Sequence, residues 1–211
     1  MFELLAIIIL SIYVFSIKEI RNRDSSHGIW HFWKVCWNVR RILNYMTPYE
    51  YEELMQLQQY NIRPLWVLYA SAMCHDINDH KYNTNHNYIK ILIKFMSIKE
   101  VKIVEQIVSN VSFSNEIKNK MKDLGKYNIL LYIVQSADRI EAIGDIGLNR
   151  CLIYGNHVNP NMSDIETYNR IYDHCKEKLL LIRPYFIHNK AAQRLIDDNN
   201  YHKVIEEFCD I

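Results

Sequence analysis

Apolar positions along the chain recur every three or four residues, the spacing of one face of an α-helix. Residues 29–46 carry such a stripe, and it stops where Thr47 precedes Pro48, because proline disfavours helical backbone in the residue before it. A second stripe follows over 49–60. Pro64 sits where a first helical turn tolerates proline and opens an almost wholly apolar run, PLWVLYASAMC, predicted to be helical as far as His75. The stretch 78–87, rich in Asn and His, reads as a loop. Ser97, with Glu100 three residues on, forms a capping-box pattern that starts a helix reaching Asn110. Residues 128–143 form a strong helical pattern that Gly144 and Gly147 should end. The run GNHVNPNMS reads as a loop leading to a second capping box, Ser163 with Glu166, and a helix to Ile182. Shorter helices follow Pro184 and cover 201–209. There is no repeat, no low-complexity linker and no convincing strand pattern. The fold class predicted is all-α, as a single helical domain.

Residues 1–17, MFELLAIIILSIYVFSI, carry one charge, Glu3, and are followed by Lys18, Arg21 and Arg23. A membrane span needs about 20 apolar residues, so this run is slightly short. A basic start and a small-residue cleavage site, which a secretory signal requires, are not evident. We read 1–23 as an apolar helix packed on a domain formed by 24–211, in a cytoplasmic protein. A membrane anchor is the alternative.

Composition narrows the function classes. Hydrophobic residues make up 49% of 211, with only five glycines and four prolines, which favours helices over hairpin-rich sheets. The formal charge is +1, with acids and bases interspersed. No basic block recommends a nucleic-acid polymer as partner, although local basic groups could hold a small phosphate. The five cysteines are widely spaced with no CxxC pair, and are expected to be reduced core thiols. Abundant Ile, Asn, Lys and Tyr fit the coding bias of an AT-rich genome, such as that of a virus or protist.

Several polar residues fall on apolar faces. His31 shares a face with Val35, Val39 and Ile42, and His75 with Leu68 and Ala72, flanked by Asp76. Asp138 shares one with Leu131, Val134 and Ala142. Burying an unpaired carboxylate costs several kcal/mol, of the order of 2–7 for a neutral polar group and more for a charge. Singly, each residue has a plain explanation: a hydrogen-bonded core histidine, or an Asp138–Arg139 ion pair. Jointly, the simplest remedy is one divalent metal held by His31, His75, Asp76 and Asp138. That mixed N/O set suits Mn, Fe, Ni, Co, Mg or Zn rather than a thiolate site.

The order H…HD…D resembles the HD-domain metal-dependent phosphohydrolase superfamily, and most closely a branch that includes bacterial nucleotide pyrophosphohydrolases. DSSHGIWHFWKV (24–35) resembles a motif DSSHDxxHxxRV, and MCHDINDHKY (73–82) resembles LLHDIGDxKF. VSFS (111–114) matches a linking ISFS, and SADRIEAIGDIGLNR (136–150) resembles DADRLDAIGAIGIAR. The resemblance implies an HD-domain bundle with His31, His75, Asp76 and Asp138 as metal ligands, Mn foremost. It implies Asp79 as the acid that positions or deprotonates the attacking water. His27, one helical turn before His31, could be an outer-shell partner or a phosphate donor, and Lys81 and Arg139 match basic positions suited to phosphate oxygens, with surface salt bridging as the alternative for all three. The chain departs from the motifs at Gly28, Lys34, Asn78 and Asp145, none of them a ligand position. Gly28 stands where the motif has Asp, which bears on substrate choice.

The activity implied is hydrolysis of a small nucleotide, with a nucleoside triphosphate giving monophosphate and pyrophosphate as the first choice. A nucleoside 5′-monophosphatase, a catalytically silent metal- or nucleotide-binding regulator and a membrane-tethered protein are the alternatives.

Overall fold

Thr47, Ser97 and Ser163 each start a helix by the same device. The side-chain oxygen of each accepts from the backbone N–H three residues on, and Glu50, Glu100 or Glu166 answers the cap's own N–H. These caps punctuate a computed structural model that describes residues 11, 13, 14, 17–23, 28–78 and 85–209. The helices are α1 (Lys18–Arg21), α2 (Ile29–Tyr45), α3 (Pro48–Gln56), α4 (Pro64–Cys74), α5 (Ile89–Leu92) and α6 (Ile98–Asn110). They continue with α7 (Phe113–Ile117), α8 (Asn128–Ile140), α9 (Gly144–Val158), α10 (Asp164–His174), α11 (Lys190–Asp198) and α12 (Tyr201–Phe208). A π-helical turn, Cys175–Leu179, extends α10, and 3₁₀ turns occupy Leu57–Tyr60, Gly125–Tyr127 and Arg183–His188. The described residues contain no strand, as the all-α reading expects.

Helix α4 is apolar on every side, and such a helix must be surrounded. It packs against α2, α6 and α8, while α2 and α8 also pack on each other and share α11. Val35, Val39 and Ile42 of α2 meet Val67, Leu68 and Ala72 of α4 and Leu130, Leu131 and Val134 of α8 in a core sealed from solvent. A second group, α9 with α10 and α12, packs beside this centre. Cys36, Cys74, Cys175 and Cys209 are buried free thiols and Cys151 is half-buried and free. Burial pushes the Cys36 thiol up to about 12, far from the thiolate that nucleophilic chemistry needs.

One expectation falls mostly outside the described residues, and another changes. Most of the apolar segment 1–17 lies outside the described residues, but Val14, Ile17 and Ile20 belong to the buried core. Among the described residues no helix is long and apolar enough to cross a membrane. The change concerns the glycines. The pattern over 128–143 does end, at Ile140, but Gly144 and Gly147 turn the chain rather than stop it, and α9 runs on through residues 155–158 of the expected loop. Gly144 adopts φ +71°, open to glycine at little cost, and a Cβ at Gly147 would stand 2.2 Å from the Ala142 carbonyl oxygen. Close approach at this corner outweighs the low helix propensity of glycine.

Arg63 and Glu100 tie the α4 start to the α6 cap. Arg63 donates to both carboxylate oxygens of Glu100 from its backbone N, Nε and Nη2, each at 2.8 Å. Burial alone would push the Glu100 carboxyl up, but the bonds from Arg63 and Ser97 prevail and hold it down at about 2, against an ordinary 4.5. A depressed folded-state pKa means the stabilisation is complete above pH 4.5 and lost as pH falls towards 2. Thermal melts of the wild type should therefore drop across that window. Glu100→Gln should start lower and show a shallower drop there; an unchanged acid profile would remove Glu100 from this role.

Candidate metal centre

Because α2, α4 and α8 pack pairwise, particular ends of the three helices meet. His31 lies in the first turn of α2, His75 and Asp76 directly follow α4, and Asp138 lies in the last turn of α8. The Nε2 atoms of His31 and His75 are 3.1 Å apart. Asp138 Oδ1 lies 3.3 Å from His31 Nε2 and 3.6 Å from His75 Nε2, and Asp76 Oδ2 lies 3.7 and 3.5 Å from the same atoms. His75 Nδ1 sits 2.7 Å from the Ala72 carbonyl oxygen. A carbonyl only accepts, so Nδ1 donates to it and Nε2 is the ring nitrogen that faces the cluster.

This donor set fits a shared cation. His31, His75 and Asp76 bring ligating atoms within 4.8 Å of one another, and Asp138 closes on both imidazoles. Burial and the Arg150 charge pull the His31 pKa down, yet hydrogen bonds to Asp138 and Asp76 prevail and raise it above the ordinary value. Burial pushes the Asp138 carboxyl up, but the two histidines prevail and lower it strongly. The imidazoles are sealed, at 1% and 0% side-chain exposure, while Asp76 and Asp138 keep 26% and 29%. The cluster thus opens on its carboxylate side, into a cavity of about 930 Å³ that Lys102, Arg150 and Lys178 also line.

Braces hold the ligand-bearing backbone. Arg23 donates to the carbonyls of Asp76 (2.8 Å) and Ile77 (2.9 Å), which follow the end of α4. The sequence presented Arg23 only as a charge behind an apolar segment. Asn38 Nδ2 donates to the carbonyl of Ala137, beside Asp138, and to Glu141 Oε1, at 3.1 and 2.9 Å.

The remaining expected site residues divide. His27, Asp79 and Lys81 lie outside the described residues. Arg139 lines the cavity but is only 3% exposed, and its guanidinium pairs with the equally shielded Glu116 and donates to the Tyr185 carbonyl at 3.3 Å. It also lies 5.3 Å from the Phe113 ring centre. Arg139 thus lies on the cavity wall with its guanidinium engaged by the Glu116 carboxylate between the Phe113 and Tyr185 rings. Sequence reasoning passed over Arg150, although it ends the fourth motif block, and Lys178, which had no local signal.

Solved structures share this architecture. A protein from Lactobacillus plantarum aligns over 97% of this chain and 93% of its own, at 23% identity and TM-score 0.68. Bacillus subtilis YpgQ aligns over 100% and 95%, at 18% identity and TM-score 0.64, and has also been crystallised in complex with ADP. An HD-superfamily hydrolase from Bacillus thuringiensis aligns over 99% and 95%, at 21% identity and TM-score 0.55. The chain has the HD-domain fold. No family model matches this HD-domain chain. Uncharacterized protein L803 of Acanthamoeba polyphaga mimivirus is 30% identical over 118 residues, covering 46% of this chain and 45% of that protein. The chain thus spans less than half the length of that relative.

If Arg139 and Glu116 hold each other in the HD-domain core, removing one must strand the other. Arg139→Ala should lower unfolding free energy by about 3–5 kcal/mol, measured by denaturant titration. Arg139→Met combined with Glu116→Leu should recover most of that loss; no recovery would refute the paired-charge account.

Proposed function

We propose that this chain is a divalent-metal-dependent phosphohydrolase acting on small nucleotides, with a nucleoside triphosphate cleaved to monophosphate and pyrophosphate as first choice. One observation carries the reading. His31, His75, Asp76 and Asp138 converge where a cavity opens, and that cavity also exposes Lys102, Arg150 and Lys178. In the proposal those four residues are the metal ligands, and two imidazole nitrogens with two carboxylates suit Mn(II). A bound divalent ion supplies water activation and neutralises phosphate charge.

The chain's own groups do the rest. The Ala72 carbonyl fixes the tautomer of His75, and Arg23 and Asn38 hold the ligand-bearing backbone in register. Asp79, three residues after Asp76, is proposed to orient the attacking water and accept its proton. Arg150 and Lys178 are proposed to meet phosphate oxygens, with Lys81 and His27 as further donors. Arg139 acts at one remove, by fixing the cavity wall beside Asp138. That YpgQ, which has the same fold, has been crystallised with ADP supports a nucleotide ligand for this chain.

Metal analysis of the purified protein should find about one divalent ion per chain. Chelator should lower the melting temperature, since a ligand that binds only the folded state stabilises it. His75→Ala and Asp76→Ala should each abolish tight binding, and a chain as stable and active in chelator would sink the metal claim.

A panel of nucleotides assayed with Mn(II), scoring pyrophosphate against orthophosphate release, decides the reaction. Pyrophosphate release supports the first choice, orthophosphate from monophosphates favours the monophosphatase, and no turnover at full metal occupancy favours the silent regulator. Asp79→Asn should keep metal occupancy and fold while the rate falls roughly 10²–10⁴-fold, the range for a lost general acid or base. Undiminished turnover would remove Asp79 from the mechanism.

A further inference from the structure

We infer that a second cavity, between α9 and α10, is the nucleoside half of the substrate site, with the phosphates reaching the His–Asp cluster past Arg150 and Lys178. This rests on the nucleotide reading above and deepens it. The second cavity measures about 750 Å³ and shares three wall residues with the cluster's own cavity: Ala142, Arg150 and Lys178. The two cationic side chains therefore stand at the junction. A ligand with its negative charge at that junction and towards the cluster would lay its remaining part against the second cavity's wall, where Glu166, Asp173 and Glu177 disfavour further negative charge.

The wall chemistry says what that remaining part is. Cys151 and Gly155 stand four residues apart on α9 and line the cavity, so the helix presents a shallow strip there, with Tyr154 beside it offering a ring face. A Cβ at Gly155 would meet nothing within 4 Å, which leaves room for a flat group. The facing wall supplies Thr167 and Asp173, hydrogen-bonding groups that an acyl chain could not use.

Glu141 supplies an independent pointer to a ligand. Its side chain is 3% exposed and lines this cavity. Oε1 accepts from Asn38, whereas among the described residues Oε2 accepts no hydrogen bond and has Lys34 Nζ at 3.9 Å. A buried carboxylate oxygen without a donor is unfavourable, and a ligand hydroxyl would relieve it. Glu141 follows Asp138 by one helical turn, so that hydroxyl belongs next to the phosphates, where a nucleotide carries its sugar. Sugar on Glu141, base along the α9 strip and phosphates towards the cluster is the order of a nucleotide.

Titration calorimetry of the Mn(II)-loaded protein with ADP and with inorganic pyrophosphate isolates the nucleoside contribution, because both ligands carry two phosphates. The wild type should bind ADP more tightly. Gly155→Phe, which fills the strip, should reduce the ADP-to-pyrophosphate affinity ratio roughly tenfold or more, as expected for losing a packed ring contact. Gly155→Leu provides a smaller obstruction, and it improves helix propensity, so its melting temperature should not fall. Equal wild-type affinity for the two ligands, no ADP binding, or an unchanged ratio in folded Gly155 variants overturns the subsite. Nucleoside-dependent binding that these variants lose sustains it even if no nucleotide is hydrolysed, so turnover tests the hydrolase reading separately.

Discussion

Two imidazoles 3.1 Å apart, each with two carboxylates within 4 Å, at the meeting point of three apolar helices, are the constraint from which the rest of the architecture follows. Groups so close repel or attract by several kcal/mol in a shielded site, the order expected at 4 Å with an effective dielectric near 20. They can stay there only if the backbone carrying them cannot yield. That requirement accounts for Arg23 on the carbonyls after α4, for Asn38 on the carbonyl before Asp138, and for the bond that fixes the His75 ring. It also explains why α4, which ends at the cluster, is packed on by α2, α6 and α8 together.

The charges around the cluster fall into two populations with different duties. Arg139 and Glu116 are both shielded and neutralise each other, which stiffens the wall beside Asp138. Arg150 and Lys178 line both cavities, at the boundary between the helical core and the α9–α10 pair. The first pair shapes the space, and the second lines it where the two cavities meet. The glycine corner at Gly144 and Gly147 sets the distance between the two regions, because it lets α9 start directly after α8 against Ala142 and Tyr201.

Much of this was legible in residue spacing. The His31, Val35, Val39, Ile42 face and the Leu131, Val134, Asp138 face were readable because helical periodicity is a local property, and the structure brings together the same four polar residues. The capping boxes at Ser97 and Ser163 were equally plain, since the cap and its glutamate are three residues apart. What escaped depended on distant partners. Gly144 and Gly147 looked like helix stops because glycine is a poor helix former, and only the neighbouring Ala142 carbonyl and Tyr201 reveal why the chain needs them. Arg23 looked like a flanking charge until its acceptors 53 and 54 residues away were seen. Arg139 matched a motif, but its partner Glu116 sits on a different helix, and nothing in the motif announces that pairing.

The wide sequence separation within the cluster has a consequence for how the protein is made. His31 and His75 are 44 residues apart, and the Asn38–Glu141 bond that braces Asp138 closes a loop of 103. Contacts of that span carry a loop-closure entropy that must be overcome before they form, so they belong to the late, slow part of assembly. A chain emerging from the ribosome holds each half-set of donors for some time without the geometry that unites them. A cation held by all four residues would therefore distinguish the native topology from other collapsed states, because it could be captured only once α2, α4 and α8 have all found one another.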